Sequence, residues 1–86
     1  MTNRKDTKIK LKIIGISGKI EMAVGLRCSG IECDYFEDGN VLDKIKQISC
    51  DSDIGIIIIT DDLYKKEYQE IDNFRIKNKM PLIVRI

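Results

Sequence analysis

The stretch Asp53-Ile54-Gly55-Ile56-Ile57-Ile58-Ile59-Thr60-Asp61-Asp62 carries four consecutive isoleucines between turn-forming ends. A strand with one wet face alternates apolar and polar residues, and this run does not. A short, β-branched apolar run is expected to be a central strand of a parallel sheet, buried on both faces. Thr60 or Asp61 is placed to cap a following helix, and Asp61 and Asp62 suit its positive end.

The other patterns arrange themselves around this strand. Ile9, Leu11 and Ile13 alternate and then run on into Ile14, which predicts a first strand over Lys10–Ile16. Ile20, Met22, Ala23 and Leu26 recur at helical spacing, predicting a helix over Glu21–Ser29 with Gly30 in the C′ position. Gly25 sits inside that helix, where a close contact with the sheet is the expected reason for it. Ile31 to Tyr35 alternates as an outer strand. Asn40 is placed to cap an amphipathic helix over Val41–Ser49, whose Val41, Leu42, Ile45 and Ile48 share a face. Leu63, Tyr64, Tyr68, Ile71 and Phe74 trace one continuous helix over Leu63–Ile76. Pro81–Ile86 is a last strand, with proline first, where a missing N–H is tolerated.

The order is β-α-β-α-β-α-β within one domain spanning residues 1–86. Helical crossovers require parallel, right-handed connections. The fold class is therefore α/β: a small flavodoxin-like (Rossmann-like) domain with a four-stranded parallel sheet in the order 2-1-3-4 and helices on both faces. Three helices over two faces leave one face with a single helix, and excess apolar surface there is the mark of a partner site.

Composition narrows the functional classes. The 86 residues are 43% apolar and 34% charged with net charge +1, so no strong field points to nucleic acid or an anionic membrane. The basic cluster Asn3–Lys12 is interleaved with Ile and Leu and reads as a lysine-flanked strand. No run approaches the roughly 20 apolar residues of a membrane span. Met1–Lys12 lacks the apolar segment of a signal peptide, which gives a cytoplasmic expectation. Cys28, Cys33 and Cys50 have no Cys-x-x-Cys spacing, and the chain has no histidine, so they are expected to be small buried thiols and no metal is expected.

Ligands of such sheets bind beyond the carboxyl ends of the strands. That edge holds Gly15, Ser17, Gly18, Lys19, Thr60, Asp61 and Asp62. Gly15-Ile16-Ser17-Gly18-Lys19-Ile20 has neither dinucleotide-binding nor Walker spacing. Ser17 has no histidine to activate it. A phosphorylated receiver domain needs an acidic pair after strand one, which is missing here. The residues therefore describe a scaffold with no catalytic residues and no cofactor; a receiver-like signalling domain or a small-ligand-binding α/β domain remains the alternative.

Two segments carry a family resemblance. Gly25-Leu26-Arg27-Cys28-Ser29-Gly30-Ile31 and Asp53-Ile54-Gly55-Ile56-Ile57-Ile58-Ile59-Thr60-Asp61-Asp62-Leu63 resemble segments of the F subunits of the V-type and archaeal-type rotary ATPases. Ile71-Asp72 and Pro81–Ile86 are similar to later segments of the same proteins, in the right order and spacing. The chain departs from that pattern at Ser17–Glu21, where the family often has acidic residues, and at Cys28-Ser29, where it usually has Leu-Ala. It also stops at Ile86, where the family continues into a flexible stretch and a C-terminal helix, so a truncated or naturally short form is expected.

The resemblance implies a non-catalytic component of the central rotor stalk of a V/A-type ATPase or ATP synthase. Such a component binds the coiled-coil stalk protein (the D subunit) and contacts other head and stalk proteins. It lies at the cytoplasmic side, peripheral to the membrane, and takes part in coupling ATP hydrolysis or synthesis to proton or sodium transport. Gly25, Leu26, Arg27, Gly30 and Ile31 are the candidate partner interface on this reading.

Overall fold

A computed structural model describes residues 11–86 of the chain. Strand β1 (Lys12–Ser17) leads to helix α1 (Ile20–Cys28), strand β2 (Glu32–Tyr35), helix α2 (Val41–Ser49) and strand β3 (Ile54–Ile59). Helices α3 (Asp61–Lys66) and α4 (Tyr68–Lys77) then lead to strand β4 (Leu82–Arg85). Every pairing is parallel and the strand order is β2-β1-β3-β4, as the sequence predicts. Lys10, the expected first strand residue, and the basic cluster before Leu11 lie outside the described residues.

Register decides which residues share a face. Ile14, Ile57 and Ile83 stand side by side across β1, β3 and β4, with Ile16 beside Ile59 one row on. Val41 and Ile45 of α2, Leu63 and Tyr64 of α3 and Ile71 of α4 pack on this face as the core. Each fully buried isoleucine side chain contributes about 1.5–3 kcal/mol of transfer free energy.

The opposite face carries α1, which packs over β1 and β2. Chain direction explains the imbalance. The step from β1 to β2 goes one way across the sheet, while the steps to β3 and then β4 go the other. Right-handed crossovers then put α1 on one face and α2, α3 and α4 on the other. The expectation that β3 is buried on both faces is corrected accordingly. Ile57 and Ile59 are fully buried, but Ile56 and Ile58 are only half-buried, because α1 covers the far half of their face.

The predicted continuous helix over Leu63–Ile76 is also corrected. It is broken at Glu67, whose φ and ψ of −138° and 43° leave the helical region. The Glu67 carboxylate reaches α2 instead. Its Oε2 accepts from the Val41 N–H at 2.8 Å and its Oε1 from the Leu42 N–H at 3.2 Å. Asn40 caps the same helix as predicted, its Oδ1 accepting from the Asp43 N–H at 2.9 Å. Three of α2's otherwise unpartnered first amides are satisfied by side chains, two of them from a distant segment.

Helix α1 ends in a Schellman motif. The Ile31 N–H donates to the Leu26 carbonyl and the Gly30 N–H to that of Arg27, with Gly30 at φ +90°. Gly25 is not required by a close approach, since a Cβ added there would meet nothing within 4 Å. The close approach is at Gly15 in β1, where a Cβ would lie 3.0 Å from Cys33 Sγ and 3.1 Å from Leu26 Cδ1. The helix approaches the sheet on the strand's glycine rather than its own.

Candidate functional site

The carboxyl edge of the sheet, where ligands of such folds bind, is occupied by its own side chains. Ser17 is fully buried, and its hydroxyl donates to the Lys19 carbonyl while accepting from the Lys19 N–H. Thr60 occupies the cap position of α3 without capping it; its Oγ1 accepts from the Gly18 N–H at 3.1 Å. The Asp62 carboxylate lies over Gly18, where a Cβ would collide with it. Asp61 is paired with Lys65 and Arg85, each at 3.1 Å. Arg85 also lies over the Tyr64 ring, 4.8 Å from its centroid. The Tyr64 hydroxyl in turn donates to Asp72 and accepts from Arg75 Nη1 at 3.0 Å. These groups tie β4, α3 and α4 together, so Asp61 serves as a first-turn residue held by two cations. Among the described residues, no group of three His, Cys, Asp or Glu side chains is placed to hold a metal ion.

The apolar surface lies on the α1 side of the sheet. Ile13, Ile56 and Leu82 form one cross-strand row, and Ile58 and Val84 continue it. Leu82 is 57% exposed, Val84 42% and Ile13 40%. On the sheet's other face the equivalent positions are in the core. An ungapped apolar patch of this kind marks an interaction surface. Met22 of α1, one turn before Leu26 on the same helical face, is itself exposed. The apolar stripe expected of α1 is thus only partly used, with Ala23 buried, Leu26 half-buried, and Ile20 and Met22 exposed.

The five candidate interface residues of the sequence fall at one end of α1 and on the turn into β2. Leu26 packs over Gly15. Arg27 is anchored, its Nε donating to the Cys33 carbonyl at 2.8 Å, which occupies part of the edge of β2. Gly25 and Gly30 are exposed, and Ile31 is half-buried. They share the α1 side of the sheet with the apolar rows but not the rows themselves. Sequence reasoning did not single out Ile13, Leu82 and Val84, and it placed Ile58 on a covered face, where the structure leaves it half-buried. Their signal was the excess of β-branched residues over the helices available to cover them.

The cysteines divide. Cys33 is buried under α1, whereas Cys28 and Cys50 are exposed, contrary to the expectation of three buried thiols. Burial pushes the Cys33 thiol above its ordinary pKa; Arg27 partly offsets this and Asp34 adds to it.

The family model described as ATP synthase (F/14-kDa) subunit matches residues 5–86. The chain belongs to this family. No curated protein and no solved structure matches it significantly. Membership makes it a component of a V/A-type ATPase and associates it with the other proteins of that complex. No helix among the described residues is long and apolar enough to cross a membrane.

Proposed function

We propose that this member of the F/14-kDa family of ATP synthase subunits is a non-catalytic part of the central rotor stalk. Its open sheet face and the neighbouring end of α1 (Gly25, Leu26, Arg27, Gly30 and Ile31) bind the coiled-coil stalk protein. In this role it joins head and stalk in a complex at the cytoplasmic side of the membrane, and helps couple ATP hydrolysis or synthesis to proton or sodium transport.

The observation that carries the reading is the uncovered apolar patch over β3 and β4. Two strands at the usual spacing are about 10 Å wide, the distance at which one helix packs beside another. With α1 already over β1 and β2, the remaining strip has room for one helix. A coiled coil supplies such a helix with an apolar stripe along it. The carboxyl edge, filled by its own hydrogen bonds and ion pairs, favours binding over chemistry.

The test is the affinity of the chain for the coiled-coil stalk protein of the same complex, by calorimetry or surface binding. Leu82→Glu and Val84→Glu are expected to weaken binding by about tenfold or more each, as substitutions at the centre of an interface do. The unfolding midpoint should change little, because both side chains are exposed. Arg27→Gln separates the two parts of the surface: a loss of affinity brings the α1 end into the interface. Full affinity in both β4 variants would remove the open face from the proposal.

A further inference from the structure

The break between α3 and α4 is not written in the residues that form it. Asp61–Lys77 contains neither Gly nor Pro. Its apolar stripe of Leu63, Tyr64, Tyr68, Ile71 and Phe74 keeps one helical phase through the break. Acids occupy the first turn of the whole segment and cations the last, while Lys65 and Lys66 before the break and Glu70 after it also suit the inner ends of two helices. Sharp interruptions of a helix have a cause, and proline, glycine pairs and side-chain insertion are the usual ones. Here the only residue outside helical geometry is Glu67, and its carboxylate is the one gripping the α2 amides of Val41 and Leu42. The rest of the junction is nearly helical: the Ile71 N–H already donates to the Glu67 carbonyl at 2.9 Å, four residues back. The Glu67 N–H donates to Tyr64, three residues back, at 3.3 Å.

We propose that Glu67 is a clasp that imposes the break, making Asp61–Lys77 a two-position element: two helices when Glu67 holds α2, one continuous helix when it is released. Local preference and tertiary contact oppose each other at this residue, the condition for an element with two discrete arrangements. The clasp also links two parts of the surface. The first turn of α2 follows the loop Asp38–Asn40, so a displacement of that loop withdraws the Val41 and Leu42 amides from Glu67. Conversely, straightening α3 into α4 withdraws the carboxylate from α2 and parts Tyr64 from Arg75, a second contact that holds the bent arrangement. Events at the loop and the orientation of α4, with its exposed Tyr68 and Ile76, are then coupled.

The experiment is NMR on the full chain, following Cα shifts of residues 65–69 and amide exchange at positions 41 and 42. In Glu67→Ala, residues 65–69 should take helical shifts, and Val41 and Leu42 should exchange about tenfold faster or more, as released amides do. Glu67→Gln, which keeps the size but weakens the acceptor, should give shifts between the two states. Leu42→Pro serves as the independent variant, since proline is tolerated in a first turn and removes one donor with Glu67 untouched. It should move the shifts at 65–69 in the same direction, and it decides the matter if Glu67→Ala fails to fold. Faster exchange with residue 67 still non-helical in the folded variants would show a simple helix cap and overturn the two-position element. Unchanged shifts and exchange would overturn the clasp itself.

Discussion

Thr60 Oγ1 accepts a hydrogen bond from the Gly18 N–H at 3.1 Å, across 42 residues of sequence. It joins the loops at the carboxyl ends of β1 and β3, where a ligand would otherwise sit. Thr60 is 3% exposed, so the bond is shielded from water. Thr60→Val keeps the shape and removes the acceptor, and is expected to destabilise by about 1–3 kcal/mol because the Gly18 amide loses its partner. Urea unfolding measures this; a neutral result would show that water replaces the hydroxyl.

The two faces of β3 give unequal responses to truncation. Ile57→Ala removes a fully buried side chain beneath three helices and should cost about 2–5 kcal/mol. Ile58→Ala empties a half-covered position, so its cost should be well under half of that. Equal costs in denaturant unfolding would mean that the α1 face is sealed.

Two glycines should answer in opposite directions. Gly25→Ala adds a methyl group into open space within α1 and is expected to stabilise by about 0.5–1 kcal/mol. Gly15→Val drives branches into Cys33 and Leu26 and should destabilise by about 1–3 kcal/mol. Thermal melts of the two variants against the parent chain check both signs.

Cysteine chemistry should separate the three thiols. An alkylating reagent is expected to modify Cys28 and Cys50 in the native protein, and Cys33 only when the protein unfolds. The raised pKa of Cys33 also has a sign in stability. Its contribution is fully present below the pKa of the unfolded thiol and is lost as pH rises through the folded value. Stability should therefore fall on the alkaline side of the ordinary thiol range, and this part of the slope should vanish in Cys33→Ala. An identical alkaline slope in that variant would assign it to other groups.

Much of the fold was legible because each element carries its own signal. The isoleucine run marks β3, Asn40 announces α2, and Gly30 ends α1, each with a mechanism confined to a few neighbouring residues. Strand order followed from the short crossovers. What was not legible depends on partners distant in sequence. The grip of Glu67 on α2 lies 25–26 residues from its own position, and no local pattern encodes it. Thr60 fits the pattern of a helix cap, yet its hydroxyl goes to Gly18. The open face was only half legible: the shortage of helices was countable, but its location over β3 and β4 follows from where α1 lands. Ile56 and Ile58 look no different in sequence from Ile57 and Ile59.

The strand order also sets a direction of growth for the chain as it leaves the ribosome. The first unit to emerge, β1-α1-β2, can close on itself, because its two strands are adjacent in both sequence and sheet. Every later strand adds on the other side, β3 against β1 and then β4 against β3. Until Leu82–Arg85 arrives, β3 is an outer strand with an unpaired row of backbone groups and its isoleucines at the margin. Arg85 reaches Asp61 and the Tyr64 ring only at that last step. Assembly of the sheet should finish as β4 closes one edge of it and completes the apolar rows that remain open to a partner.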